Sequence, residues 1–488
     1  MKEEVSKYYE CLAARDRRFD GIFFVGVKST GIYCRPICTA RTPSQANCRF
    51  YKSQAEAELN GFRPCLKCRP EIAPGSAPVD AKKRLARSAL ILIQEASCDE
   101  ELSVKKLAES LGITDRHLRR ITSTVYGVTP NELARTHRLL TAKRLLTETS
   151  VPLIEIAYAA GFRSVRSFNH QFKKHYDLTP SSIRNRSSFK TRSEETKERA
   201  TIKIKLSYRP PFNLPMLLRF FRERALDGME YVDEKQYCRA VMLKGKPGWY
   251  RVFEKDTNLY LEFSSNLIGS LSSIVNRVNR QFDLECHPLL IQESLAKDEN
   301  LKEVIQSNPG LRIPGAFDQF EICVRAVAGQ LISVKAARSI CSRLVTSFGE
   351  NISDPTTPLT RSFPSPDTVS RIEEQELKEA CGLTLNKART IIELARAIEK
   401  GELRLDSNSN QNPLPIYKQL QKIKGIGPWT ASYIALRTHL DPNAFPAGDL
   451  VVRKILGSDN IEELEQMSLN WQPWRSYATI YLWSKQEN

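Results

Sequence analysis

The sequence predicts a multidomain, mainly α protein. A small metal-bound α/β domain comes first, then a helical segment, an α+β lobe and an all-α C-terminal part. Three observations carry this. The 488 residues suit roughly three domains of ordinary size. Four cysteines stand in two close pairs near the N-terminus, among short aromatic, β-prone runs such as "FFVGV". Apolar residues recur at helical spacing through most of the rest, and strand-like alternation enters over 202–285.

Composition narrows the class. Lys plus Arg number 73 against 56 Asp plus Glu, a net charge of +17, and a surplus of that size favours a polyanionic partner, nucleic acid first. The hydrophobic share of 41% is enough for real cores. No stretch reaches the ~18–20 apolar residues of a membrane span, which argues against a membrane partner. The opening "MKEEVSKYYE" has no apolar core of a signal peptide. Twelve cysteines without an export signal point to reduced thiols or a metal, hence a cytoplasmic protein.

Composition shifts mark the divisions. Residues 1–75 hold the paired cysteines, and "APGSAPVD" (73–80) reads as a linker. Residues 81–186 are helical, and the polar run 187–201 is a second linker. Residues 202–285 mix strand patterns ("YCRAVML", "NLYLEFSS") with a helical one ("LPMLLRFFRERAL"), and 286–488 are helical, broken by Pro and Gly.

Cys34/Cys38 and Cys65/Cys68 form C-x3-C and C-x2-C pairs with 26 residues between, which suits tetrahedral zinc. On spacing alone a purely structural zinc stays open. Four thiolates leave no open position for a catalytic water, so chemistry there has to happen on a ligand. Zinc keeps thiolates deprotonated, and thiolates are nucleophiles. Zn with four thiolates carries a formal −2, and alkylating one sulfur lowers repulsion from a phosphate chain.

"FFVGVKSTGIYCRPIC", "NCRFY" and "AEAELNGFRPCLKCRPE" resemble the N-terminal domain of the Ada adaptive-response family, over about 8–71. The resemblance implies one Zn2+ held by Cys34, Cys38, Cys65 and Cys68. It makes Cys34 the irreversible acceptor of a methyl group from a DNA methylphosphotriester. It also implies that Arg35, Arg41 and Arg63 meet the DNA backbone. Cys48 stands outside the ligand pattern and reads as a small hydrophobe.

"LSVKKLAESLGITDRHLRRITSTVYGVTP" gives a helix, a turn at Leu111-Gly112 and a basic second helix, and "PLIEIAYAAGFRSVRSFNHQFKKHYDLTPSSIR" repeats the plan with Gly161 at its turn. The doubled unit resembles the AraC-type DNA-binding domain. Its recognition helices then begin near Thr114 and Ser164, and Arg116, Arg119, Arg163 and Arg166 can reach the major groove or phosphates. A solvated charged face is the plain alternative for each arginine.

In the C-terminal half, "LQKIKGIGPWTASYIALR" carries a Gly425–Gly427 turn between helical runs, and "DPNAFPAGDLVVRKIL" places Asp449 at a helix start. Taken singly these read as a tight turn and an N-cap. Together they resemble the helix-hairpin-helix glycosylase superfamily, and "AVAGQLISVKAA" with "WQPWRSYATIYLW" resembles its AlkA branch over about 205–488. The full fold class is therefore an Ada-like zinc α/β domain, an AraC-type helical domain, an α+β AlkA N-terminal lobe and all-α helix-hairpin-helix lobes. The resemblance implies that Asp449 drives excision of an alkylated base and that Leu331 wedges into the vacated stack. Trp429, Tyr433 and Trp483 would form the base pocket, attracting cationic bases. Lys424 (where proline is usual), Gly425 and Gly427 would contact phosphate, and the carbonyls of Gln421, Ile423 and Ile426 would hold a monovalent cation. Relatives that also cut the strand carry lysine where this chain has Trp429, so a monofunctional enzyme of the DNA-3-methyladenine glycosylase II type is expected. The later cysteines, Cys238, Cys286, Cys323, Cys341 and Cys381, read as packing residues.

The sequence reading is thus an alkylation-repair protein joined to its regulator, acting on alkylated duplex DNA and promoter DNA, with RNA polymerase as partner. Its rival is an AraC-type regulator with a structural zinc and a glycosylase half that only binds DNA.

Overall fold

The computed structural model describes residues 2–15, 19–70, 84–96, 103–186, 201–352, 357–403, 405 and 416–486. The linker 73–80 and most of the linker 187–201 lie outside the described residues; Thr201 itself opens a strand. The chain parts into two compact units, 1–209 with 257–276, and 210–256 with 277–488. Strand Thr201–Leu206 pairs antiparallel with Asn258–Ser264. In the same unit the Arg144 side chain donates to the Lys205 carbonyl, and His137 meets Ser272 at 2.9 Å. No helix among the described residues is long and apolar enough to cross a membrane.

The first unit opens on a four-stranded sheet in the order Cys48–Tyr51, Phe24–Val27, Ile32–Cys34, Arg63–Pro64. Its pairs are antiparallel except the last, and Val25 stands opposite Cys34. Aromatic and β-branched side chains fill its faces: Phe23, Phe24, Val25 and Tyr33 are buried. The two expected helix-turn-helix units are both present, as Val104–Ser110 with Asp115–Tyr126, and Leu153–Ala159 with Val165–Tyr176. Thr114 and Ser164 cap the second helices by accepting the backbone N–H three residues on. Gly112 and Gly161, at φ +66° and +83°, make the turns. The long helix Pro130–Glu148 joins the repeats, started by a capping box of Thr129 and Glu132.

That long helix also holds the sheet. Glu58, on the helix Gln54–Leu59, is buried and accepts from the hydroxyls of Tyr33 (2.9 Å) and Thr136 (3.3 Å). Burial pushes its carboxyl up to about 7, against the pull of those hydroxyls and of Lys143 and Arg135. Lys143 Nζ donates to the Cys65 carbonyl at 3.3 Å.

In the second unit, strands Glu230–Val232, Gln236–Leu243 and Lys246–Lys255 form an antiparallel meander. The helices gather about two cores. One contains Val324, Val327, Ile391, Leu394 and Ile434. The other contains Leu301, Val304, Leu436, Val452 and Leu482. The helix Pro428–Arg437 is apolar on both sides and serves both cores, with Ala431 and Ile434 in one and Ala435 and Leu436 in the other. A cleft opens along it.

Candidate functional site

Four sulfurs, those of Cys34, Cys38, Cys65 and Cys68, lie within 4.8 Å of one another. Strand Ile32–Cys34 delivers the first, and the Cys65 backbone is tied to the same strand by its N–H to the Tyr33 carbonyl, 3.0 Å. Mutual hydrogen bonding divides the protons unequally. The Cys34 thiol pulls Cys38 down to about 7, while Cys34 itself is pushed up by Cys38 and then by Cys65 and Cys68. Four sulfurs this close cannot all be anionic without a cation, and soft donors at this spacing suit zinc. The Arg35 backbone N–H donates to the Cys68 sulfur at 3.4 Å. Cys48 is buried nearby on its own strand and stays out of the cluster.

The arginines divide. Arg41 is exposed and Arg63 half-buried. The expectation that Arg35 meets DNA is corrected. Its side chain is 6% exposed and paired with buried Asp20 (Nε to Oδ1, 2.8 Å), and it also donates to the Cys68 carbonyl at 3.2 Å. A guanidinium so engaged holds the cysteine loops together and leaves no donor facing outward. In the helix-turn-helix units Arg116, Arg119, Arg163 and Arg166 are all exposed, with Arg119 paired to Asp115 one turn away at 2.8 Å.

In the second unit Asp449 caps the helix Leu450–Leu456. Its Oδ1 accepts from the N–H groups of Val451 (3.0 Å) and Val452 (3.2 Å). The N-cap and functional readings of this residue therefore do not compete. The same Oδ1 accepts from the indole of Trp483 at 3.1 Å, and Oδ2 from that of Trp429 at 3.3 Å. Trp429 stacks on Tyr433 (centroids 5.5 Å, 24°), and Tyr433 faces Trp483 at 5.9 Å. Carboxylate and aromatic walls form one hydrogen-bonded piece along a cleft of about 560 Å3.

Sequence reasoning missed several groups here. Buried Arg437 donates to the Tyr433 hydroxyl at 2.6 Å and to the Pro314 carbonyl, fixing the ring's edge. Burial lowers its pKa. Arg239 and Arg325 share Glu230 and Glu321 in the cleft lining. Burial opposes the charge on Glu321, yet the two arginines hold it down at about 2. The bonds that cross between elements, Arg239 to Glu321 and Arg437 to Pro314, join residues 82 and 123 apart, and no local pattern marks them.

Leu331 is fully exposed. In the hairpin Lys424 and Gly427 are exposed. Gly425 sits at φ +95°, where an added Cβ would lie 2.1 Å from Thr390 Oγ1. No other residue fits there. The Ile423 carbonyl accepts from the Ile426 N–H at 3.1 Å.

A four-sulfur site beside doubled helix-turn-helix units, in a chain that also carries a carboxylate cleft on a helix-hairpin-helix scaffold, defines a DNA-directed repair protein with a regulatory half. Four domain families match along the chain. They are the metal binding domain of Ada (7–71), a helix-turn-helix domain (107–186), the AlkA N-terminal domain (203–318) and the HhH-GPD superfamily of base excision DNA repair proteins (324–467). A "Probable bifunctional transcriptional activator/DNA repair enzyme AlkA" of Mycobacterium tuberculosis is 35% identical over 100% of this chain and 98% of its own length. The chain belongs to that family. "DNA-3-methyladenine glycosylase 2" of Escherichia coli is 30% identical over 57% of this chain and 95% of its own length. A solved 3-methyladenine DNA-glycosylase from Archaeoglobus fulgidus shares the fold of the second half (TM-score 0.50, 20% identity, 57% of this chain and 96% of that one). With the Ada-domain match, the four sulfurs make a site for one zinc ion.

Proposed function

We propose that this chain is a DNA-3-methyladenine glycosylase of the monofunctional type, fused to a methyl-accepting regulator. The observation that carries the enzymatic half is Asp449, held by two indole N–H groups inside an aromatic cleft. A base turned out of the duplex would stack on Trp429 and Tyr433, where electron-rich rings favour a base made cationic by alkylation. As the N-glycosidic bond breaks, its electron pair leaves with the base, and positive charge grows on the sugar beside the Asp449 carboxylate. Water then completes the hydrolysis. Leu331 would fill the gap in the stack, and Lys424, Gly425 and Gly427 would hold the phosphate chain. The carbonyls of Gln421, Ile423 and Ile426 would seat a monovalent cation.

In the first half, zinc when bound would keep all four sulfurs as thiolates at neutral pH. Cys34 is the proposed acceptor on the match of residues 7–71 to the metal binding domain of Ada, as the first of the four sulfurs in the chain. The sulfur would attack the methyl carbon of a phosphotriester. An S–C bond forms, the O–C bond breaks, and the electron pair stays on the phosphate as a diester anion. Arg41 and Arg63 would steer the backbone. With one negative charge fewer, the chain would bind promoter DNA more tightly through Arg116, Arg119, Arg163 and Arg166 and recruit RNA polymerase. The setting is the cytoplasm, on the nucleoid.

Base release from methylated duplex DNA tests this, comparing the full chain with Asp449→Asn. A fall of at least ~100-fold is expected. Mass spectrometry of the same samples should show one methyl group on Cys34 in both proteins. Absence of release from the unaltered chain, or undiminished release by Asp449→Asn, would overturn the enzymatic half. Methyl uptake elsewhere, or none, would overturn the acceptor.

A further inference from the structure

Leu331 stands clear of the surface at φ +59°, a backbone region leucine avoids. Residues 331–336 are all exposed, so side-chain burial does not hold that segment in shape. The hold comes from another helix. Lys387 Nζ donates to the carbonyls of Ala328 (2.9 Å) and Gln330 (2.7 Å), at the end of the helix Gln319–Ala328 and in the turn that leads directly into Leu331. A cation there meets carbonyls that the helix leaves without N–H partners.

Lys387 lies on the helix Leu385–Glu399, three residues before Thr390, so the two share a face. Thr390 Oγ1 donates to the Lys424 carbonyl at 2.8 Å, and Gly425 packs directly on that hydroxyl. Gln330 closes the triangle, its side-chain amide donating to the Gly425 carbonyl (3.0 Å) and to Thr430 Oγ1 (2.9 Å). One helix face thus anchors both the Leu331 bend and the hairpin.

We propose that Lys387 is a positioning residue for base extrusion, fixing the Leu331 bend at a set distance from the 424–427 hairpin. This rests on reading Leu331 as the wedge and adds what holds it. Lys387 touches neither the base nor Asp449. Its loss therefore leaves bond cleavage intact and weakens the step in which a paired base is forced from the stack.

The test uses the full chain and an oligonucleotide duplex carrying one 7-methylguanine, either paired with cytosine or opposite an abasic gap where extrusion is easy. Lys387→Met should lose about tenfold in base release from the paired duplex and little from the gapped one, with Lys387→Arg retaining most of the paired rate. Thermal melting checks that each variant folds, and if Lys387→Met does not, Lys387→Gln decides in its place. Leu331→Ala runs beside them. If it leaves the paired-to-gapped ratio unchanged, the wedge reading fails and takes this proposal with it. If Leu331→Ala shifts the ratio and the folded Lys387 variants do not, the wedge stands and the positioning role is overturned.

Discussion

The four sulfurs of the thiolate cluster come from residues 34–68 and lie within 4.8 Å of one another, whereas the groups around Asp449 come from residues 429, 451, 452 and 483. Around the cluster the buried apolar residues are few, Leu12 and Val25 beside the cysteines themselves. The cleft stands where two large cores share one helix. The first centre is built for an ion, since four sulfurs this close cannot all be anionic without a cation. The second is a by-product of packing that would persist without substrate. Local chain with a metal and long-range chain with a core are two routes to a reactive group, and they should fail differently.

The largest difference should come from a chelator. Stripping zinc should cost the first unit on the order of 10 kcal/mol and unfold its sheet, while base release by the same sample persists. Circular dichroism and a release assay read the two outcomes, and loss of both together would mean the centres are not independent.

Arg35→Met should come next. It strands Asp20, 3% exposed, without its guanidinium. The expected loss is about 3–5 kcal/mol of stability in the first unit. Were Arg35 a surface DNA contact, denaturant melts would not change and only DNA affinity would fall.

Glu58 offers a smaller, pH-dependent effect. Its folded pKa is raised, from 4.5 to about 7, by burial. The protonated form is the one the fold prefers, so its contribution is full below pH 4.5 and is lost as pH rises through 7. Glu58→Gln should remove that slope, worth about 3 kcal/mol between pH 4.5 and 8. Melts of both proteins across this range check it, and parallel curves would refute it.

The smallest effect belongs to Trp483→Phe, which keeps a ring and deletes one N–H to Asp449 Oδ1. Base release should fall about tenfold with the fold intact, as a single charge-assisted hydrogen bond implies. An unchanged rate would mean that the indole only packs.

What could be read from the sequence follows the same division. The cysteine pairs, the caps Thr114 and Ser164 and the turn glycines Gly112 and Gly161 are local, and spacing sufficed for them. Asp449 was legible as an N-cap from its place ahead of an apolar helix. Arg35 was misread because Asp20 neutralises it from across a fold that the motif does not encode. Lys387, Gln330 and the bond from Arg437 to Pro314 gave no signal, since these partners stand 57 to 123 residues away.

A closed set of four sulfurs has no exit for a group once it is attached. On the proposed reaction a thioether at Cys34 offers neither a good leaving group nor room for water, so a marked chain stays marked for its lifetime. The marked fraction then sums past exposure instead of following its present level. It fades only as growth dilutes old chains and synthesis supplies new ones, so the memory of the damage lasts about as long as the protein does.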